Sequence, residues 1–573
     1  MTQIERTQIG YLVGGGLKEN FRVRLTVSSQ DIQEGAFVVI HSGIWNYYGI
    51  VTDIQLGATD QLFSDEQLDM RLAPELAHAL YGQTLYANLE VLPSLMMEVG
   101  PDDQSSREYR DWQGKIDLGL KDKPRPLPVK NIPPHHARVY LASEGDIAEI
   151  FGKDDKGFFE IGTTREQGHP VRIDLNKFVQ RSSGIFGATG SGKSFLTRVV
   201  LAGLVQRTEV SLLVFDMHNE YGYTYSPPEG GAAVPGLKDK LGSKVKIVGL
   251  GKGASAMYQG MAPDINLEIA MKDIHTGDIE MLSHALNLRD TTSTTLAALF
   301  GRFGQNWFAE FMKLESKPKQ KDDEGNSFYP DGSIEEWAES AGIHIEAAKA
   351  LHSRLHKNIY SLPYVVEQVG NDAVSQIVDC LQNGKSVILS FGSHDNDLDY
   401  LMVSNILTRR IRSVWEDKTN EYHRTKNRSV LPNPLVIVIE EAHKLLNREM
   451  ASQTTFSTIA RELRKYYVTL LIIDQRPSQI YDEVLSQLGT RISGWLGDDN
   501  DIQAVLSGLS GREAIRGMLA RLQAGQEMLL LGPWGVPMPL PVRSRRYDDA
   551  FWKDLLGGGG KRSEGENLRE LGF

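Results

Sequence analysis

The sequence has one cysteine, Cys380, among 573 residues. One thiol can form neither an intrachain disulfide nor a cysteine-rich metal cluster, and a reducing cytoplasm suits it. Long apolar runs are also missing: none reaches the roughly 18 residues that a membrane-spanning helix needs. The opening Met1-Thr2-Gln3-Ile4-Glu5-Arg6 lacks the apolar segment of a secretory signal. A surplus of positive charge is absent as well, the formal net charge being −12. That argues against a surface coated in nucleic-acid-binding cations. It leaves room for a ring whose basic residues line a narrow channel while the outside stays acidic.

Apolar residues make up 41% and charged residues 24%, the balance of a soluble globular protein. The length predicts two or three domains. Between Ile9 and Ala142 the pattern is mainly β. Phe21 to Val27 alternates with period two, and Ala36 to Ile40 and Tyr48 to Val51 follow at short spacing. That regular series predicts a small β-barrel. Gly14-Gly15-Gly16 reads as a turn between two strands, and Lys121 to Pro134 as a connecting strap. His169 to Leu175 reads as a strand entered through Pro170, which suits a sheet edge. From Ala254 to Asn371 the spacing turns helical, with helices predicted at Leu267 to Met271 and Ser293 to Phe311. The segment Lys317 to Gly325 is a charged loop, either solvated or a contact for DNA or a partner. Ser386 to Ser390, Leu435 to Ile439 and Thr469 to Ile473 are short, continuously apolar runs, as expected of parallel strands buried on both faces.

Gly187-Ala188-Thr189-Gly190-Ser191-Gly192-Lys193-Ser194 matches G-x-x-x-x-G-K-[ST] in full. The apolar lead-in Gly184-Ile185-Phe186 precedes it, and Phe195 to Val205 reads as a helix. Glycines let backbone N–H groups turn inward around phosphate oxygens, and the helix N-terminus adds partial positive charge. Lys193 is expected to reach the β- and γ-phosphates of ATP, and the Ser194 hydroxyl to bind Mg²⁺.

Leu435 to Ile439 runs straight into Glu440-Glu441-Ala442-His443. Two adjacent carboxylates at the end of an apolar strand suit a metal shell and a general base that polarises water. Glu440 is assigned to the metal and Glu441 to the base, although Asp is usual at the first position and the two roles could be exchanged. His443 is either a phosphate or relay contact or a packing residue. Leu212 to Phe215 ends in Asp216-Met217-His218-Asn219-Glu220-Tyr221, where Asp216 and His218 sit at the strand edge that α/β sheets use for ligands. Gln475, after the strand Thr469 to Ile473, is placed either to sense the γ-phosphate or to form a plain turn before Pro477. The basic stretch Ile459 to Lys465 reads as helical. Arg464, then Arg461, is the candidate to reach a neighbouring subunit's phosphate, with Arg181 and Arg491 behind them.

Taken in order, these motifs resemble the HerA helicase and translocase family, relatives of FtsK. The likeness rests on the phosphate loop, Asp216 to Tyr221, Ile439 to His443, Ala460 to Lys465 and Gln475-Arg476-Pro477, and on Ile9 to Gly15 as a barrel opening. It implies an α/β fold: a RecA-like P-loop ATPase core with an N-terminal β-barrel and a helical insertion. The expected divisions are 1–145 for the barrel, 146–253 and 372–550 for the core, 254–371 for the insertion and 551–573 for a C-terminal arm. The resemblance also implies a homohexamer with double-stranded DNA in its pore, paired with a NurA-like nuclease or, in defence against phage, with a sirtuin-like or other effector. A contrasting possibility is a regulatory or scaffold ATPase ring that gates a partner effector, with DNA incidental.

Overall fold

A computed structural model describes residues 6–58, 85–155, 157–225, 232–251, 261–289, 291–321, 323, 326–370, 372–392, 394, 396–448, 463–509 and 511–557. The chain forms two compact units. The first is Met1–Gly203 with Gln475–Ser478 and Leu488–Phe573; the second is Leu204–Asp474 with Gln479–Gln487.

In the first unit, antiparallel strands build a barrel around a buried apolar core. Its strands are β1 (Gln8–Gly16), β2 (Glu19–Leu25), β3 (Phe37–Ser42), β4 (Trp45–Ala58), β5 (Leu85–Glu98), β6 (Leu127–Pro128) and β7 (Arg138–Leu141). They pair in the order β2-β1-β7-β3-β4-β5-β6. Phe21 opposite Val91 and Val23 opposite Leu89 join β2 to β5 and close the circle. Phe21, Val23, Val38, Ile40, Val51, Leu89, Val91 and Val139 fill it, while Arg22 faces outward. The predicted turn at Gly14-Gly15-Gly16 is instead the bulged end of β1, and the reversal falls at Leu17 and Lys18. Gly15 has φ +112°, and a Cβ there would lie 2.5 Å from the Asn20 carbonyl oxygen, so this strand crossing requires glycine.

The same unit holds six further strands: β8 (Phe158–Thr164), β9 (Pro170–Asp174), β10 (Ser183–Phe186), β21 (Thr490–Ser493), β22 (Glu527–Leu531) and β23 (Leu540–Ser544), ordered β10-β21-β22-β23-β8-β9. β9 lies at the edge and opens with Pro170, as the missing N–H of proline requires.

The second unit contains β11 (Ser211–Asp216), β12 (Val245–Leu250), β13 (Ile265–Leu267), β18 (Ser386–Ser390), β19 (Leu435–Glu440) and β20 (Val468–Asp474). Their order is β13-β12-β18-β11-β19-β20, parallel throughout. β11, β18, β19 and β20 are buried at every position, which explains their unbroken apolar runs. Leu267 to Met271 is not the predicted helix: it ends β13, forms β14 (Ile269–Ala270) against β17 (Val365–Val366), and then enters a 3₁₀ turn. Sheet pairing overrides the helix-like spacing there. The predicted helix from Ser293 to Phe311 is two helices, Thr292–Phe303 and Trp307–Lys313, separated at Gly304 with φ +59°. Lys317 to Gly325 contributes half of a small hairpin, β15 (Gln320–Lys321) against β16 (Ser327–Phe328).

Candidate nucleotide site

The phosphate loop is built from the bottom of a buried strand. β10 is buried along its length and runs parallel to β21, from Ser183 opposite Thr490 to Phe186 opposite Ser493. Beyond Phe186 the chain turns through Gly187 to Gly192 and enters the helix Lys193–Arg207. The turn requires glycine at three positions, for space at Gly187 and for backbone conformation at Gly190 and Gly192. A Cβ on Gly187 would fall 2.3 Å from Ser191 Oγ, and Gly190 and Gly192 have φ of +78° and +82°. The Ala188 N–H is held by the Trp495 carbonyl at 2.9 Å, so the segment just past β21 fixes one wall of the loop. Thr189 and Gly190 are exposed at the crest, Lys193 is buried, and Ser194 is half-buried in the first helical turn. This glycine-lined cradle, opening on a helix of 15 residues, fits an anionic phosphate. Thr189 Oγ1 donates to Gln475 Oε1 at 2.7 Å, which brings the predicted sensor amide onto the loop itself.

In the second unit, strand ends assemble an acidic cluster. Asp216 closes β11 with no exposure, and its carboxylate accepts the N–H groups of Glu220 at 2.8 Å and Tyr221 at 2.9 Å. It therefore orders the turn that carries His218, whose side chain is exposed. Tyr221 donates from its hydroxyl to Glu440 Oε1 at 3.1 Å. The Glu440 carbonyl accepts the Tyr400 hydroxyl at 2.6 Å. Burial first, and then the negative charge of Glu440, Glu441, Asp474 and Asp216, holds the Tyr400 phenol neutral well above its ordinary pKa.

Glu441 follows in the left-handed region, with φ +48°, a conformation that costs a residue with a side chain about 1 kcal/mol or more. Its Oε2 lies 3.6 Å from His443 Nδ1. His443 donates its backbone N–H to Asp474 Oδ2 at 2.7 Å, and its Nδ1 lies 3.0 Å from the same oxygen. The hydrogen bond to Asp474 raises the imidazole pKa, desolvation opposes it, and the Asp474 and Glu441 charges add to the rise.

Glu441, His443 and Asp474 each offer a ligand atom within 4.8 Å of the others. Carboxylate oxygens dominate this cluster and the adjoining Glu440, and such a donor set suits a hard divalent cation such as Mg²⁺. Sequence reasoning singled out Glu440, Glu441 and His443 but gave Asp474, Tyr221 and Tyr400 no role. Asp474 carries a signal it could have used, an acid at the end of an apolar strand. Tyr400 lies within the helix Asp397–Thr425 and carries none.

Two of the candidate arginines are committed inside their own unit. The Arg491 guanidinium is buried and donates to the carbonyls of Val505 and Ser507, and burial lowers its pKa to about 10. The Arg181 guanidinium stacks 4.2 Å over the Trp534 ring. Arg464 is exposed in the 3₁₀ turn Leu463–Tyr466, and residues 459–462 of the stretch predicted to be helical, Arg461 among them, lie outside the described residues.

Comparison with known proteins gives a consistent picture. A family profile described as "Helicase HerA, central domain" matches residues 159–411. The chain is similar to the DNA double-strand break repair helicase HerA of Sulfurisphaera tokodaii, with 25% identity covering 94% of this chain and 93% of that protein. It is similar to HerA of Saccharolobus solfataricus at 23% identity, covering 98% and 97%. Among solved structures, VirB4 of Thermoanaerobacter pseudethanolicus matches at a TM-score of 0.41 and 16% identity, covering 70% of this chain and 99% of that one.

Proposed function

We propose that the chain is a P-loop ATPase of the HerA helicase family, an ATP-driven translocase of double-stranded DNA that works as a homohexamer. The observation that carries this reading is the glycine-lined cradle from Gly187 to Ser194, set at the head of a long helix in a chain that aligns with HerA helicases along nearly its full length.

Lys193 neutralises phosphate charge, and the backbone of the loop positions the oxygens. Ser194 and Glu440 would hold Mg²⁺, which lends charge neutralisation at the β- and γ-phosphates when bound. Glu441 orients and deprotonates the attacking water, with His443 and Asp474 fixing its surroundings. Gln475, tied to Thr189, reports the state of the γ-phosphate to the loop. Arg464, exposed on its 3₁₀ turn, is the group offered to a neighbouring subunit's nucleotide. Contacts to the DNA backbone give weak sequence preference and strong salt dependence. The protein acts in the cytoplasm beside a partner enzyme, a nuclease of the NurA kind or a defence effector.

The test is steady-state ATP turnover by the purified full-length protein with Mg²⁺, with and without linear duplex DNA. Duplex should stimulate turnover in the absence of any partner. A ring whose ATPase ignores DNA and responds only to a partner protein would instead be a regulatory scaffold.

A further inference from the structure

The phosphate loop is braced from behind by a turn that no nucleotide motif includes. A Cβ placed on Gly192 would lie 3.3 Å from the Cα of Gly525, so the two glycine backbones face each other closely. Gly525 has φ +76° and sits at the crest of the turn from Gln523 to Glu527. That turn is fixed by one carboxylate. Glu527 Oε2 accepts the Gln523 N–H at 2.9 Å, and Glu527 Oε1 accepts from Arg165 Nε at 2.8 Å. Both partners are shielded, at 7% and 18% side-chain exposure, so the attraction is little screened.

Arg165 also reaches the barrel. Its Nη1 donates to the Glu34 carbonyl at 3.1 Å. The Glu34 carboxylate in turn accepts Arg521 Nε at 2.8 Å, just ahead of the turn. Gly35, beside it, has φ +87°, and a Cβ there would lie 2.4 Å from Pro541 Cγ and 3.3 Å from Arg165 Nη1, so the barrel loop is pressed onto this hub. One guanidinium thus joins the barrel rim, the Glu527 carboxylate and, through the Gly525 turn, the residue before Lys193.

We propose that Arg165 is a positioning residue for ATP binding: through Glu527 and the Gly525 turn it sets the phosphate loop, and through Glu34 it makes that setting responsive to the barrel. This rests on the reading of Gly187 to Ser194 as the ATP site. The groups touching phosphate are untouched by Arg165, so its loss acts on affinity more than on chemistry.

The experiment measures KM for ATP and kcat on the full-length protein with Mg²⁺, with thermal midpoint and assembly state recorded for each variant. Arg165→Gln and Glu527→Gln should each raise KM about fivefold or more, with kcat within about twofold of wild type. Arg165→Lys, which keeps a cation toward Glu527, should recover part of the loss. Arg521→Gln alters a guanidinium that is 64% exposed and should shift KM in the same direction without unfolding the protein. A wild-type KM in folded Arg165→Gln, or in Arg521→Gln should the buried variant not fold, overturns the proposal. Failure of the wild-type protein to bind ATP removes the nucleotide reading as well, which separates the two.

Discussion

Thr189 Oγ1 donates to Gln475 Oε1 at 2.7 Å, so the crest of the phosphate loop is tied to the residue that directly follows Asp474 in the chain. In the proposed function a γ-phosphate entering the cradle would compete for this exposed hydroxyl and release the amide to hydrogen-bond water or phosphate. Gln475→Ala should slow ATP turnover about 10- to 100-fold while leaving ATP binding intact. Thr189→Val, which deletes only the hydroxyl, should have a milder effect. Phosphate-release kinetics beside equilibrium nucleotide binding will decide: Gln475→Ala turning over at the wild-type rate would reduce the bond to a loop stiffener.

Glu441 combines a proposed chemical role with a backbone conformation that disfavours it, at φ +48°. Glu441→Gln should lower turnover by roughly a hundredfold or more and spare ATP binding. Glu441→Gly should be equally inactive yet melt no lower than wild type, because glycine enters the left-handed region without the steric cost. A scan in which Glu441→Gly melts well below Glu441→Gln would show that the backbone there is not strained.

His443 should make stability depend on pH. Its pKa is raised in the folded protein, chiefly by the hydrogen bond to Asp474. A raised imidazole pKa contributes stability that is complete below the unfolded value near 6.5 and is lost as pH rises through the folded value. Asp474→Asn should move the His443 titration back toward the ordinary range and flatten the pH dependence of the melting temperature as pH rises above about 6.5. Histidine-selective NMR follows the titration directly, and an unmoved pKa in Asp474→Asn would rule out this pairing as its cause.

Arg464 should act on a neighbour's nucleotide. Arg464→Ala is expected to bind ATP normally and turn over at least about tenfold more slowly. Mixed with Lys193→Ala subunits, which bind no ATP, it should regain activity at interfaces where an intact arginine meets an intact cradle. If no mixture exceeds the sum of its parts, the arginine does not act between subunits.

The parts readable from the sequence are those whose chemistry is local. Gly187 to Ser194 needs only its own glycines, lysine and serine, and β19 and β20 announce themselves because burial on both faces permits no polar interruption. Where sequence reasoning goes astray, a distant partner decides. Leu267 to Met271 has helical spacing, but β12 and β17 draw it into sheets. Arg491 looks like a free basic residue at a strand, yet it is turned inward by the carbonyls that end the helix Asp499–Leu506. The Tyr400 hydroxyl and the Arg165 bridge depend on groups far apart in sequence, a backbone carbonyl and a carboxylate, for which local periodicity carries no signal.

The joining of β2 to β5 has a consequence for how copies of this chain can associate. That closure gives β1, β2, β3 and β7 a neighbour on both sides, so edge addition by a stranger's strand is denied to these four strands. Any companion docking on these strands must recognise them by shape and side-chain chemistry. Such recognition can be specific and reversible.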